Sequence, residues 1–385
     1  MKIYLSEDVL TAARKRIAWL FDEFPQVVVC FSGGKDSCVV LNLTLEEAER
    51  RGRLPVPVMW IDQEAEWQAT VDYVQTVMED PRVQPLWFQM PMRLFNATSA
   101  EEPWLWCWNP EDEARWMRQK WPQAVTENPT DTDRFAELFP ALIRHYYPNT
   151  PVATIGGVRA EESPARAMGV TMQATYKWAT WGTISDRKRG HYNFYPIYDW
   201  GYRDVWKAIH SSGWTYCDIY NKMYQYGYHV QDMRVSNLHH ETATKHLRFL
   251  QEIEPATWNR LVYRLRGINT VKHLQQVALE PVKTLPPMFA TWAEYRDHLL
   301  KYLITDDDKR EGFARKFAKL DVKYARMRSQ ERRHKAEIGS ILANDFEFTK
   351  LGNWEASPVV ATWRKYDRGD AIPLKHLQTN PYING

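Results

Sequence analysis

Six consecutive residues, Ser32-Gly33-Gly34-Lys35-Asp36-Ser37, combine the side chains and the backbone freedom that phosphate chemistry needs. Two hydroxyls can donate, and Lys35 brings a mobile positive charge. Gly33 and Gly34 let backbone N–H groups approach an anion with no Cβ in the way. Asp36 can hold Mg²⁺ through water or balance Lys35. A helix starting directly behind these residues adds unpaired first-turn N–H groups and the positive end of its dipole. The combination is an anion site, most naturally a phosphate site. It differs in spacing from the Gly-x-x-x-x-Gly-Lys-Ser/Thr loop of the common NTPases.

A second constellation is Gly156-Gly157-Val158-Arg159-Ala160-Glu161-Glu162-Ser163-Pro164-Ala165-Arg166. Arg159 and Arg166 suit forked contacts with phosphate or sulfate. The bland alternative is a solvated helix start in which Glu162 pairs with Arg166 one turn on. Asp62 ends an apolar run and is, with Asp36, a candidate Mg²⁺ contact. Asp186-Arg187-Lys188-Arg189-Gly190-His191 reads as a basic hairpin tip, either a reach toward an anionic substrate or an ordinary exposed turn.

Strands and helices must deliver these residues. Ser6 can cap a first helix over about 7 to 24. Val27 to Phe31 is a β-branched, buried-strand pattern that stops at the glycines, and an apolar helix follows to about Gly52. Val56 to Ile61 reads as a second strand, with a helix to about Met78, and Pro85 to Met90 as a third. Val152 to Ile155 is a fourth strand, and Tyr192 to Pro196 a fifth. Strand–helix–strand alternation at this spacing predicts a doubly wound parallel α/β sheet, with ligands at the carboxyl ends of its strands. Asp199 is expected to cap the approach to a helix over Asp204 to Ile209.

Residues 95 to 150 interrupt the pattern. Trp104, Trp106, Trp108, Trp116 and Trp121 crowd there, with a helix expected from about Asp133 to Tyr146. These aromatics form either a local core or a stacking platform for bases. From about residue 241 the pattern turns helical, which divides the chain into a nucleotide-binding α/β domain over 1–240 and a helical region over 241–385. Residues 309 to 335 hold eleven Lys/Arg against three acids, a local balance of +8 where the whole chain carries +2. With Phe313, Phe317, Leu320, Tyr324 and Met327 interleaved, they read as one basic amphipathic helix. Such a helix either meets nucleic acid or an acidic partner, or is a solvated face.

Composition bounds the rest. A hydrophobic share of 44% is globular, and the net charge of +2 predicts no partner. None of Cys30, Cys38, Cys107 and Cys217 forms a Cys-x-x-Cys pair, which argues against zinc and against an iron–sulfur cluster built from this chain. Neither a secretion signal nor a membrane span is expected, so a reduced cytoplasmic protein is the expectation.

Ser32 to Ser37 resembles the pyrophosphate-binding (PP) loop of the adenine-nucleotide α-hydrolase superfamily. Gly157-Val158-Arg159-Ala160-Glu161-Glu162-Ser163 with Arg166 is similar to the Gly-x-Arg-x-Asp/Glu-Glu-Ser…Arg segment of the phosphoadenosine-phosphosulfate reductase family. Pro196-Ile197-Tyr198-Asp199-Trp200 with Asp204-Val205-Trp206 resembles that family's Pro-Leu-x-Asp-Trp…Asp-Val-Trp segment. The resemblance implies an adenine-nucleotide site. It stops at the reductases' C-terminal cysteine: no cysteine follows Cys217, and the chain reads Asn237-Leu238-His239-His240-Glu241. Reduction of a sulfonate needs a thiolate, so the ATP-using branch is what the resemblance leaves, which includes the ATP-sulfurylase small subunit. The nearest likeness is to the IbrA-like group, which implies a phage- or prophage-linked regulatory or defence role and a ParB-like partner.

The resulting expectation is an ATP α–β phosphate hydrolase or adenylyltransferase using ATP and Mg²⁺. Lys35, Asp36 and Arg159 are the catalytic candidates. Ser32, Gly33, Gly34, Lys35, Ser37, Asp62, Gly157, Arg159, Glu162 and Arg166 are the nucleotide-binding candidates. The alternative is a nucleotide-gated regulator without robust turnover. A sulfonucleotide reductase lacking its cysteine comes third.

Overall fold

The computed structural model describes residues 5–96, 104–171, 174–235, 237–239, 247–265, 268, 284–304, 306–325, 330–342, 345–346, 348–356 and 360. The chain divides into two compact units. The first comprises Met1–Lys222, Val230–His246 and Ala256–Val271, the second Met223–His229, Leu247–Pro255 and Lys272–Gly385.

The first unit is built on a six-stranded sheet. Its strands are β1 (Gln26–Cys30), β2 (Val56–Ile61), β3 (Val83–Phe88), β6 (Val152–Ile155), β7 (Gly182–Asp186) and β8 (His191–Phe194), in the order β3-β2-β1-β6-β8-β7. All neighbours pair in parallel except β7 with β8. Every residue of β2 and β6 is buried, and the three valines of β1 are too. Burial on both faces is why these strands read as unbroken apolar runs. Helices α1 (Val9–Glu23), α2 (Lys35–Arg50), α3 (Gln68–Met78), α4 (Phe135–Tyr146), α5 (Pro164–Thr171), α6 (Tyr202–Ser212) and α7 (Ile219–Gln225) follow along the chain. The chain steps outward from β1 to β2 to β3, then returns to the other side of β1 with β6. The strand order therefore reverses between β1 and β6, and the crevice of a doubly wound sheet opens there, at the strands' carboxyl ends. Ser32 to Ser37 leaves β1 at that point, and Gly156 to Glu162 leaves β6 beside it.

The doubly wound α/β fold is as expected, with local corrections. Asp8, not Ser6, caps α1, accepting from the Leu10 and Thr11 N–H groups at 3.0 Å each. The third strand begins at Val83 rather than Pro85: Pro85 lies inside a strand whose ladder pairs with β2 on one side, where a missing donor is tolerated. Asp199 does not cap a helix. It forms a fork with Arg16 at 2.8 and 2.7 Å, and Asp204 caps α6 through the Gly201 N–H at 2.8 Å. At the basic hairpin tip, Asp186 gathers the Lys188 and Arg189 N–H groups and the Arg189 guanidinium, so the turn is closed on itself.

The Trp-rich insertion holds a two-stranded antiparallel ribbon that the sequence did not announce, β4 (Met92–Phe95) with β5 (Trp104–Cys107). Its tryptophans divide: Trp108 is fully buried, Trp121 stacks on Trp87 at 5.0 Å, and Trp104 and Trp106 face solvent.

The second unit is helical, with α8 (Leu247–Ile253), α10 (Trp292–Tyr302), α11 (Asp307–Tyr324), α12 (Glu331–Leu342) and α13 (Thr349–Ala356). α9 (Pro255–Arg264) groups mostly with the first unit. The expected single basic helix over 309–335 is two helices, α11 and α12; Arg326, Met327 and Arg328 lie outside the described residues. Phe313, Phe317, Leu320 and Tyr324 are its buried stripe, as read. Its cations are largely matched: Lys316 and Lys323 share Glu355 at 2.9 and 2.7 Å, Arg315 meets Glu311, Arg333 meets Asp321, and Lys335 meets Glu331. Among the described residues no helix is long and apolar enough to cross a membrane.

Candidate nucleotide-binding site

The loop after β1 is shaped by what touches it. Gly33 has φ +72°, and a Cβ there would lie 2.6 Å from Thr70 Cγ2 of α3, so a side chain is excluded by conformation and by space. Gly34 is the N-cap of α2 and supplies no side-chain cap to the first turn. The Ser37 hydroxyl donates to Gly34 O at 2.9 Å, accepts from Ser32 N–H at 3.3 Å and lies 3.1 Å from the Ser32 hydroxyl. The Lys35 N–H donates to the Tyr220 hydroxyl at 3.0 Å.

The Lys35 side chain is buried. Its Nζ donates to Met233 O at 3.2 Å and lies 3.2 Å from Asp36. Burial draws its pKa below the ordinary lysine value, Asp36 opposes this, and Arg159 and Arg234 add to the depression. Arg159 and Arg234 thus act electrostatically on both Lys35 and Arg166, and Asp36 offsets them at each.

The β6 loop is pressed onto the first. A Cβ on Gly157 would stand 2.7 Å from the Asp36 carbonyl carbon and 2.8 Å from Ser37 N, so the Gly157 backbone lies directly on the first turn of α2. Arg159 is buried, with Nε donating to Asp36 Oδ1 at 2.5 Å and Nη1 to Trp200 O at 3.3 Å. Glu162 pairs with Arg166, and its carbonyl accepts from Arg234 Nη2 at 3.3 Å. Ser32, Gly33, Gly34, Lys35, Asp36, Ser37, Gly157, Arg159, Glu162 and Arg166 are therefore brought together. The Glu162–Arg166 pair of the bland reading is present as well, inside this cluster.

Asp62 stands at the end of β2, as expected, but not as an open carboxylate. It is fully buried, and its carboxylate accepts from Arg118, from Trp87 Nε1 at 3.0 Å, from Gln89 Nε2 at 2.9 Å and from the Glu64 N–H at 2.9 Å. A carboxylate saturated by these donors does not fit a Mg²⁺ contact. Its neighbour Glu64, at φ +65° and fully buried, pairs with Arg264 at 2.6 Å. Glu66 accepts from Asn237 at 2.6 Å; burial, then the charge of Asp62, pushes its pKa from 4.5 up to about 8. Among the described residues no three His, Cys, Asp or Glu side chains converge as a metal site. Asp36, partly exposed and met by Arg159 and Lys35, is the candidate left for the one-carboxylate role that suffices when nucleotide phosphates supply the other Mg²⁺ ligands.

Sequence reading missed Tyr220 and Arg234. Tyr220 stood in an aromatic run without a motif, and Arg234 arrives from far along the chain. Together with Met233, Asn237 and Leu238, Arg234 belongs to a strap that touches the segments leaving β1, β2 and β6. Met233 O takes Lys35, Arg234 takes Glu162 O, Asn237 takes Glu66, and the Leu238 N–H donates to Ala65 O at 2.8 Å. All four cysteines are free. Burial raises the Cys30 and Cys107 thiols and pushes Cys38 up to about 11, so these three are not held as reactive thiolates.

YbdN, an uncharacterized protein of Escherichia coli (strain K12), is 32% identical over 285 residues, 70% of this chain and 68% of that protein. Sulfate adenylyltransferase subunit 2 of Mycobacterium sp. (strain KMS) is 26% identical over 210 residues, 51% of this chain and 59% of the relative. Among solved structures, FMN adenylyltransferase of Candida glabrata with FMN and the ATP analog AMPCPP aligns over 62% of this chain and 68% of its own, at 15% identity and TM-score 0.37. Phosphoadenylyl-sulfate (PAPS) reductase of Candida auris aligns over 62% and 99%, at 13% identity and TM-score 0.33. Residues 227–379 match a domain of unknown function (DUF3440). Residues 26–226, more than half of the chain, match the phosphoadenosine phosphosulfate reductase domain, and the chain belongs to that family.

Proposed function

We propose that this chain transfers an adenylyl group from ATP, breaking the bond between the α and β phosphates. The observation that carries the reading is the convergence of Lys35, Arg159, Arg166 and Arg234 on an uncapped helix start at the reversal between β1 and β6. The β and γ phosphates rest on Ser32, Gly33, Gly34 and Ser37. An acceptor oxygen adds to the α phosphorus, the α–β bridging bond breaks, and its electron pair leaves on pyrophosphate. Lys35, released from Met233 O, offsets the charge growing on that leaving group. Arg159 keeps Asp36 oriented and offers its Nη2, 4.0 Å from Glu162 Oε1, to the α phosphate. Mg²⁺, held by Asp36 and the phosphates, would neutralise further charge. The acceptor supplies the nucleophile, because the three cysteines with raised pKa values are poor candidates. The relatives described as sulfate adenylyltransferase subunits make sulfate the first acceptor to try.

The test is a pyrophosphate-release assay with ATP and Mg²⁺ across a panel of acceptors, sulfate and carboxylates first. Acceptor-dependent pyrophosphate supports the proposal. Orthophosphate as the inorganic product contradicts it.

The strap favours a second reading. Lys35 is engaged by Met233 O, so a nucleotide that recruits Lys35 breaks its bond to the strap, as a nucleotide-gated regulator would require. Tight ATP binding with no product under any acceptor, together with altered proteolysis at 230–239, would favour gating over turnover.

A further inference from the structure

The insertion carries features of a ligand site that the phosphate loop does not use. In the β4–β5 ribbon Arg93 pairs with Trp106, and Trp104 lies two residues along the same strand. Alternate residues share a face, so Arg93, Trp104 and Trp106 stand together. The opposite face is buried through Leu94, Leu105 and Cys107. On the shared face Trp104 is 52% exposed and Trp106 is 42% exposed. The Arg93 guanidinium carbon lies 5.3 Å from the Trp104 ring centre and 5.5 Å from that of Trp106. Asp133 holds Arg93 at 3.5 Å. One cation therefore orders two indoles and leaves much of their surface to solvent, whereas Trp108, next along the chain, is fully buried.

Arg93 also lines a cavity of about 950 Å³ that includes Asp131, Arg134 and Arg144. That volume suits a small ligand. Arg93 is matched by Asp133, and Arg134 by Glu137 at 3.5 Å. Arg144, in the last turn of α4, has no side-chain ion pair or hydrogen bond among the described residues. Arg144 lines the same cavity as Arg93, whose guanidinium reaches both part-exposed indoles, and a cation joined in this way to flat rings is suited to a ligand that joins a flat ring to an anion.

We propose that this face and cavity bind a nucleotide unit at a place distinct from the phosphate loop. The base stacks on Trp106 and Trp104, the phosphate meets Arg144, and Asp131 accepts from a ribose hydroxyl or a base amino group. The cavity's acids and bases balance, so stacking supplies most of the selectivity and the salt dependence is shallow, close to one phosphate contact. The same chemistry is offered by a free mononucleotide and by a single strand, and the test separates them.

The test titrates the intact Lys35→Met protein, in which the phosphate loop is disabled, with AMP and with a fluorescein-labelled 15-nucleotide single strand. For the ligand that binds, Trp106→Ala and Arg144→Ala each weaken binding about tenfold, and Trp106→Phe restores most of it. Binding of the strand alone identifies a strand, and binding of AMP identifies a mononucleotide. If neither binds, or if binding ignores both alanine variants, the proposal is overturned. Loss in Trp106→Ala without rescue by Trp106→Phe also counts against it.

Discussion

Arg159 Nε donates to Asp36 Oδ1 at 2.5 Å across 123 residues of sequence, tying the loop after β6 to the first turn of α2. Residues at the ends of neighbouring strands are thereby made into one site. Lysine cannot reproduce a contact made through Nε together with an Nη1 bond to Trp200 O. Arg159→Lys should lower kcat/KM at least about tenfold and keep the far-ultraviolet circular dichroism. In a cycle with Asp36→Asn the double variant should lose far less than the sum of the singles. Additive losses would show that the two residues work separately.

Gly157→Ala places a Cβ against the Asp36–Ser37 peptide, and backbone cannot step aside as a flexible side chain can. The expected cost is about 2 kcal/mol or more by urea denaturation, with nucleotide binding weakened in parallel. Gly312→Ala, with nothing within 4 Å and a helical position in α11, serves as the control. It should be neutral or slightly stabilising.

Glu66 makes stability depend on pH. The unfolded chain releases this proton near 4.5 and the folded protein near 8. The contribution is complete below 4.5, falls as pH rises through the interval by at most roughly 1.4 kcal/mol per pH unit, and is gone above about 8. Glu66→Gln stays neutral and can still accept from Asn237. Urea midpoints should therefore fall with pH between 5 and 8 more steeply in the parent protein than in Glu66→Gln. Parallel profiles would place the proton elsewhere.

Arg234 meets the site from the strap, bonding Glu162 O and sharing the field of Lys35 and Arg166. It is exposed, so Arg234→Ala should leave the thermal midpoint nearly unchanged. KM for ATP should rise several-fold. A normal KM would confine its role to the strap's hydrogen bond.

The parts legible in the sequence were those set by local physics. Parallel strands buried on both faces are apolar runs, and a glycine turn before a helix is visible as such. Asp62 was legible as a strand end but not as the centre of a buried cluster, because Arg118 comes from the insertion. Its neighbour Glu64 is likewise met by Arg264 from α9. The β4–β5 ribbon lay hidden in a tryptophan-rich stretch whose alternation is short. The charge of the basic segment 309–335 looked unmatched because the acids that neutralise it include Glu355, outside the window. Arg234 carries no local motif at all.

The most direct test of the central claim is to give the protein ATP labelled at the α or the γ phosphate, with Mg²⁺ and an active acceptor, and to resolve the products. The account predicts γ label in pyrophosphate and α label in an adenylyl product or AMP, both reduced at least about a hundredfold in Lys35→Met. γ label in orthophosphate with ADP, or undiminished product from Lys35→Met, would contradict it.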